Sequence, residues 1–173
     1  MNTKIFVTLF AVLLTAGPAS FAGDNEVPFN GWFEEVGEPI PIEPSDYPYL
    51  QEVIDQYGPP SSHPLTSPRL LKAEGNSTVG GKSTIEEAVI IYFFPLPDYS
   101  RFVLLYYIDA TITVANGDEI WVRTSGIMYY PNALYVDQGT IVGGTGRFEN
   151  AEGEYRATQF TPGIGVYEGY IKY

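Results

Sequence analysis

The chain has 173 residues, 21 Asp and Glu against 9 Lys and Arg, a formal charge of −12 and no cysteine. That balance speaks against nucleic acid and anionic lipid surfaces as partners, both of which need positive charge. It also removes disulfides and a cysteine-linked lipid anchor, so stability must come from the core.

Residues 1–22 read as a signal peptide. Lys4 gives a short basic start, residues 5–16 form an apolar run, and Ser20-Phe21-Ala22 ends it with small residues at the two positions a signal peptidase reads. Cleavage is expected after Ala22, which places the protein outside the cytoplasm, secreted or periplasmic. No later apolar run is long enough to span a bilayer as a helix, so membrane insertion is not expected.

An acidic segment follows. Nine acids and no Lys or Arg lie between Asp24 and Asp55, and prolines recur at positions 39, 41, 44 and 48. Proline favours extended backbone and opposes a central strand, so residues 23–68 are expected to form an extension outside the sheet. Within it, "YLQEVIDQYG" puts Leu50, Val53, Ile54 and Tyr57 on one helical face. Ser45 or Asp46 is expected to cap that helix and Gly58-Pro59-Pro60 to stop it. So short a helix is marginal alone and should lie against the sheet. The clustered acids lack the spaced loop of a calcium site, and His63, the only histidine, sits in a proline-rich linker without a second ligand. No metal or organic cofactor is expected.

From residue 69 to 173 the pattern is strand after strand, seven or eight in all: "LLKAEG", a short piece at 77–82, then 86–94, 101–114, 119–130, 135–142, 153–160 and 165–173. Asn116-Gly117 between two long β-rich runs is a strong hairpin signal and predicts pairing of 101–114 with 119–130. In the first of these runs Phe102, Leu104, Tyr106, Ile108, Ala110, Ile112 and Val114 form a wholly apolar face, while the opposite face is mixed. Both faces should therefore be partly buried, one inside a barrel and the other under a helix or a subunit. Which face is interior is left open. The fold class is all-β, an antiparallel barrel of seven to eight strands with one short N-terminal helix.

"GGTG" at 143–146 is not followed by Lys-Ser/Thr and leads to a strand, which fails the context of a phosphate loop. The glycines instead mark a sharp corner, with Phe148 and Ala151 folding back as a plug over one barrel end. Serine hydrolysis lacks its histidine partner and its nucleophile elbow. Glu86, Glu87, Asp109 and Glu119 are available as a carboxylate pair, and as strand-end or mixed-face residues they read more simply as solvated charges. The hairpin brings Asp109 and Arg123 near each other. In a tyrosine-rich lumen this pair would supply a base and an enolate-stabilising cation; on the surface it would be an ion pair. Tyr106, Tyr107, Trp121, Tyr129 and Tyr155 are the candidate ligand-lining aromatics.

The phrases "ANGDEIWVRTSG" and "VGGTGRFENAEGEY", with the terminal "GVYEGYIKY", resemble the closing part of the allene oxide cyclase and dirigent barrel superfamily and small secreted bacterial barrels of that architecture. The likeness covers roughly residues 86–173. It implies an eight-stranded barrel, a homo-oligomer (a trimer), and in some members a lumen that steers or cyclises an apolar substrate. The sequence-level expectation is thus a secreted barrel binding a small apolar or aromatic molecule. The alternatives are a cofactor-independent cyclase or isomerase, and an envelope protein whose barrel is filled.

Overall fold

The computed structural model describes residues 26–61, 66–95, 102–130, 134–160 and 163–173. The signal-like leader, His63 and residues 96–101 and 131–133 lie outside these residues, as does the side chain of Tyr129.

Nine antiparallel strands form one sheet: β1 (Val27–Pro28), β2 (Gly31–Pro41), β3 (Arg69–Ser77), β4 (Gly81–Pro95), β5 (Phe102–Val114), β6 (Glu119–Tyr130), β7 (Leu134–Gly144), β8 (Glu152–Phe160) and β9 (Ile164–Lys172). β2 through β8 pair in sequence order, and β9 pairs with both β8 and β2, so eight strands close into a ring. β1 adds a short ladder outside that ring on β9.

The ring needs a strand from the acidic segment, contrary to the expectation that residues 23–68 stand apart from the sheet. Seven ring strands come from residue 69 onward and the eighth is β2. Its prolines are tolerated for a local reason. Pairing with β9 is confined to Gly31–Glu34, and the β3 ladder breaks between Val36 and Ile40. Pro39 falls in that irregularity and Pro41 ends the strand, where a missing N–H costs little.

The Asn116-Gly117 hairpin forms, with β5 and β6 in register from Phe102↔Tyr130 to Thr113↔Glu119 and Gly117 at φ 88°. The apolar face of β5 is the interior one: Leu104, Tyr106, Ala110, Ile112 and Val114 are buried. Its mixed face lies outside and is partly covered by α1 (Pro48–Tyr57). Leu50 and Val53 of α1 pack on Ala88 and Ile90 of β4 with Leu70, Tyr92 and Tyr107 around them. Pro48 opens the helix and Gly58 closes it at φ 83°. Ser45 and Asp46 do not cap it; they belong to a separate 3-10 turn, Pro44–Asp46. A cap acceptor comes from the sheet instead, because the Asp109 carboxylate accepts the backbone N–H of Tyr49.

At one end of the barrel the glycine corner acts as a plug. Phe148 and Ala151 are buried among Ile85, Ile120, Ile141 and Ile171, and the Phe148 ring meets that of Tyr173 edge-on at 4.8 Å. Gly146 adopts φ 56° against the Asp118 carboxylate, where a Cβ would lie 2.1 Å from Oδ1. Arg147 ties the corner down by donating to Val79 O at 2.6 Å.

Candidate functional site in the barrel interior

Parity along the strands decides what faces the lumen. β4 sends Ser83, Ile85, Glu87, Val89 and Ile91 inward, β6 sends Ile120, Val122, Thr124 and Met128, and β7 sends Asp137 and Ile141. The interior therefore has two apolar layers. One is built on Ile85, Ala110, Val122, Ile141 and the plug. The other is made of Val89, Ile91, Leu104, Tyr106 and Met128. Between them Glu87, Thr124, Asp137 and Tyr155 form a polar belt around a cavity of about 30 Å³, enough for a water molecule or two.

Aromatic rings occupy most of the remaining space. Tyr106 stands opposite Gly126, Tyr155 opposite Gly139, and Tyr167 and Phe33 opposite Gly31 and Gly165. In each pair the ring lies on the glycine: a Cβ on Gly126 would come 2.3 Å from the Tyr106 hydroxyl, and one on Gly139 2.2 Å from the Tyr155 ring. The side chain absent from one strand makes room for the aromatic of the next, a pairing that fills a barrel without leaving voids.

The belt's electrostatics follow from enclosure. Asp137 is only 6% exposed, its Oδ1 has no hydrogen-bond partner, and burial pushes its carboxyl up to about 7. Glu87 keeps some exposure as a residue, yet the barrel wall encloses its carboxyl. Burial first, then the negative charges of Glu35 and Asp137, push it up to about 8. A carboxyl raised in this way is substantially protonated near neutral pH and can donate a hydrogen bond. The Tyr155 hydroxyl shares a 2.5 Å hydrogen bond with Thr124 Oγ1, and burial raises its pKa strongly. Nearer the rim, Gln159 donates to the Glu35 carboxylate. Among the described residues no group of three or more His, Cys, Asp or Glu side chains is arranged to hold a metal ion.

The candidates named from sequence divide between the two faces. Tyr106 and Tyr155 are interior. Tyr107 lies outside under the helix edge, 6.0 Å from the Tyr57 ring. Trp121 is 40% exposed and donates from Nε1 to Glu119. Asp109 and Arg123 are directly opposite, on the outer face rather than in the lumen, with the Arg123 guanidinium 5.2 Å above the Tyr49 ring. Glu86 pairs at the surface with Lys72 at 3.0 Å. Glu87, read as a solvated charge, is instead an interior residue in mid-strand, and Asp137 was not singled out for chemistry at all. The sequence signal for both was their parity with buried neighbours, Ile85 and Val89 in one case and Ile141 in the other.

Fold and interior together define an eight-stranded antiparallel barrel with a desolvated acid belt. No protein-family model matches the chain, and no match was found among curated proteins.

Proposed function

We propose that this is an exported barrel protein that binds a small, largely apolar molecule in its lumen, orienting it through one polar group at the Glu87–Asp137 belt. The observation that carries this reading is the belt itself. Buried carboxyls cost stability unless partnered, and Asp137 Oδ1 has no partner. Glu87 and Asp137 in their protonated forms offer donors to a carbonyl or hydroxyl oxygen, and Thr124 and Tyr155 border the same cavity. Export rests on the leader-like first 22 residues. The resemblance of residues 86–173 to the allene oxide cyclase and dirigent superfamily supports a lumen that handles apolar molecules, and with it a trimer. A cyclase or isomerase would use the same two carboxyls as acid and base.

Ligand pockets commonly run to about 300–1,000 Å³, and the interior cavity is about 30 Å³. A ligand must therefore displace the layer of Val89, Ile91, Leu104, Tyr106 and Met128, of which Met128 is the most adaptable member. This close filling is what favours the second reading, an envelope protein whose barrel is a solid scaffold. Thermal shift of the purified protein against terpenoid, phenolic and fatty-acid compounds separates the two. A ligand at a hundred times its dissociation constant adds about 2.7 kcal/mol, and the shift should shrink in Glu87→Gln/Asp137→Asn. A flat response across the panel leaves the scaffold reading.

A further inference from the structure

The outer wall of β5–β8 carries a second concavity of about 440 Å³, which reaches Gly126 and Asp137 at its floor. Register builds it from two adjacent rungs. Leu105, Ile127 and Val136 stand directly opposite one another across β5, β6 and β7 and make an apolar rung. One step along the strands, Tyr107, Ser125, Gln138 and Arg156 make a polar rung that ends in a cation. Three strand spacings of about 4.8 Å put Tyr107 and Arg156 about 14 Å apart, with the apolar rung about 7 Å to one side.

Two features mark this wall as a surface that awaits a partner. The neighbouring outer face of β3–β5 is apolar too, and there α1 covers it; the wall beyond has no helix, and Val136 is left 48% exposed. Arg156 also differs from most of the other basic residues, though Lys82 shares its lack of a partner among the described residues. Lys72 and Lys172 are paired with Glu86 and Glu152, Arg147 binds Asp118 and Val79, and Arg123 is stacked on Tyr49. Arg156 forms no ion pair or hydrogen bond among the described residues, although Glu168 is its cross-strand neighbour.

We propose that this groove is a binding site for a small amphiphilic carboxylate, its hydrocarbon body along Leu105, Ile127 and Val136 and its carboxylate on Arg156. A guanidinium takes a carboxylate through two parallel hydrogen bonds, and Ser125 and Gln138 offer further donors along the rung. The chain's overall negative charge opposes an anion only over short range, since screening at physiological salt acts within about 8 Å. The chemistry therefore selects a compact anion with an apolar tail of about 10 Å, the two strand spacings that the apolar rung covers.

Octanoate and octanol, the same tail with and without the charge, are the probes. Each is titrated into the full chain by displacement of the fluorescent anion 1-anilinonaphthalene-8-sulfonate. Arg156→Gln is expected to weaken octanoate about tenfold, the loss of one charge-assisted contact, while octanol changes less than about twofold. Val136→Asp should weaken both, and Glu87→Gln, whose side chain lines only the interior cavity, neither. Octanoate affinity unchanged in Arg156→Gln, loss confined to Glu87→Gln, or no saturable binding would overturn the assignment. Octanoate-induced NMR shifts in the unaltered protein provide a check independent of variant folding: perturbation at Ile127 and Val136 supports the groove, and perturbation at Thr124 and Met128 instead refutes it.

Discussion

The Asp109 carboxylate on β5 accepts the backbone N–H of Tyr49 in the first turn of α1, and Arg123, directly across on β6, lies over the ring of the same tyrosine. Strand residues thus supply the cap that Ser45 and Asp46 do not. Burial raises the Asp109 pKa, with Arg123 and the Tyr49 N–H acting against the rise. Asp109→Ala is expected to cost about 0.5–2 kcal/mol, the range of a lost helix cap, read as a lower midpoint in urea at unchanged slope. A midpoint equal to that of the unaltered protein would mean that α1 is held by its apolar face alone.

β2 makes the acidic segment part of the barrel. Deleting residues 23–60 removes the strand between β9 and β3 and also the helix over Ala88 and Ile90. The expected product has two exposed sheet edges and an uncovered apolar face, and should aggregate or lose cooperative melting. A truncated protein with intact β circular dichroism and a sharp transition would show that the ring tolerates the gap.

The corner offers a test of the plug. Phe148 is fully buried, so Phe148→Ala should cost about 3–5 kcal/mol. Gly146→Val meets both the left-handed backbone at φ 56° and the Asp118 carboxylate, which should also destabilise strongly. In the lumen, Gly126→Ala drives a methyl into the Tyr106 hydroxyl and Asp137 Oδ1, an overpacking expected to cost about 1–3 kcal/mol. Equal urea midpoints for all three would contradict the packing described.

Much of this fold was legible because its signals are local. The Asn116-Gly117 turn, the apolar face of β5 and the glycine corner each announce themselves within a few residues. What was hidden depends on partners distant in sequence. β2 looks like a charged, proline-rich tail, and only the ladders to β3 and β9 make it a strand. Asp109 and Arg123 were correctly brought together, but their face stayed undecided. The parity of β5 resolves it: the odd-numbered side chains are the mixed face, and the mixed face is outside. Carried across the register, the same parity turns Glu87 and Asp137 inward. The glycines opposite aromatic rings could not be recognised as filled space before the pairings were known.

The belt also predicts an unusual pH dependence. Glu87 in the folded barrel titrates at about 8 against an ordinary 4.5, and Asp137 at about 7 against 3.8. Between those limits the folded protein holds more protons than the unfolded chain, so stability falls as pH rises. The favourable contribution is complete below about pH 4, where both states are protonated, and is lost as pH climbs through 7 and 8. Each group can contribute a slope of up to about 1.4 kcal/mol per pH unit across its window. Melting temperature should therefore be higher at pH 5 than at pH 8.5, the reverse of acid denaturation driven by surface carboxylates. Glu87→Gln and Asp137→Asn replace the carboxyls with neutral amides of similar shape and should each flatten the profile, the double variant most. Urea unfolding of the four proteins between pH 5 and 8.5 measures this directly. A stability that climbs with pH in the unaltered protein, or a double variant with the same slope, would place both carboxyls in water rather than in the lumen.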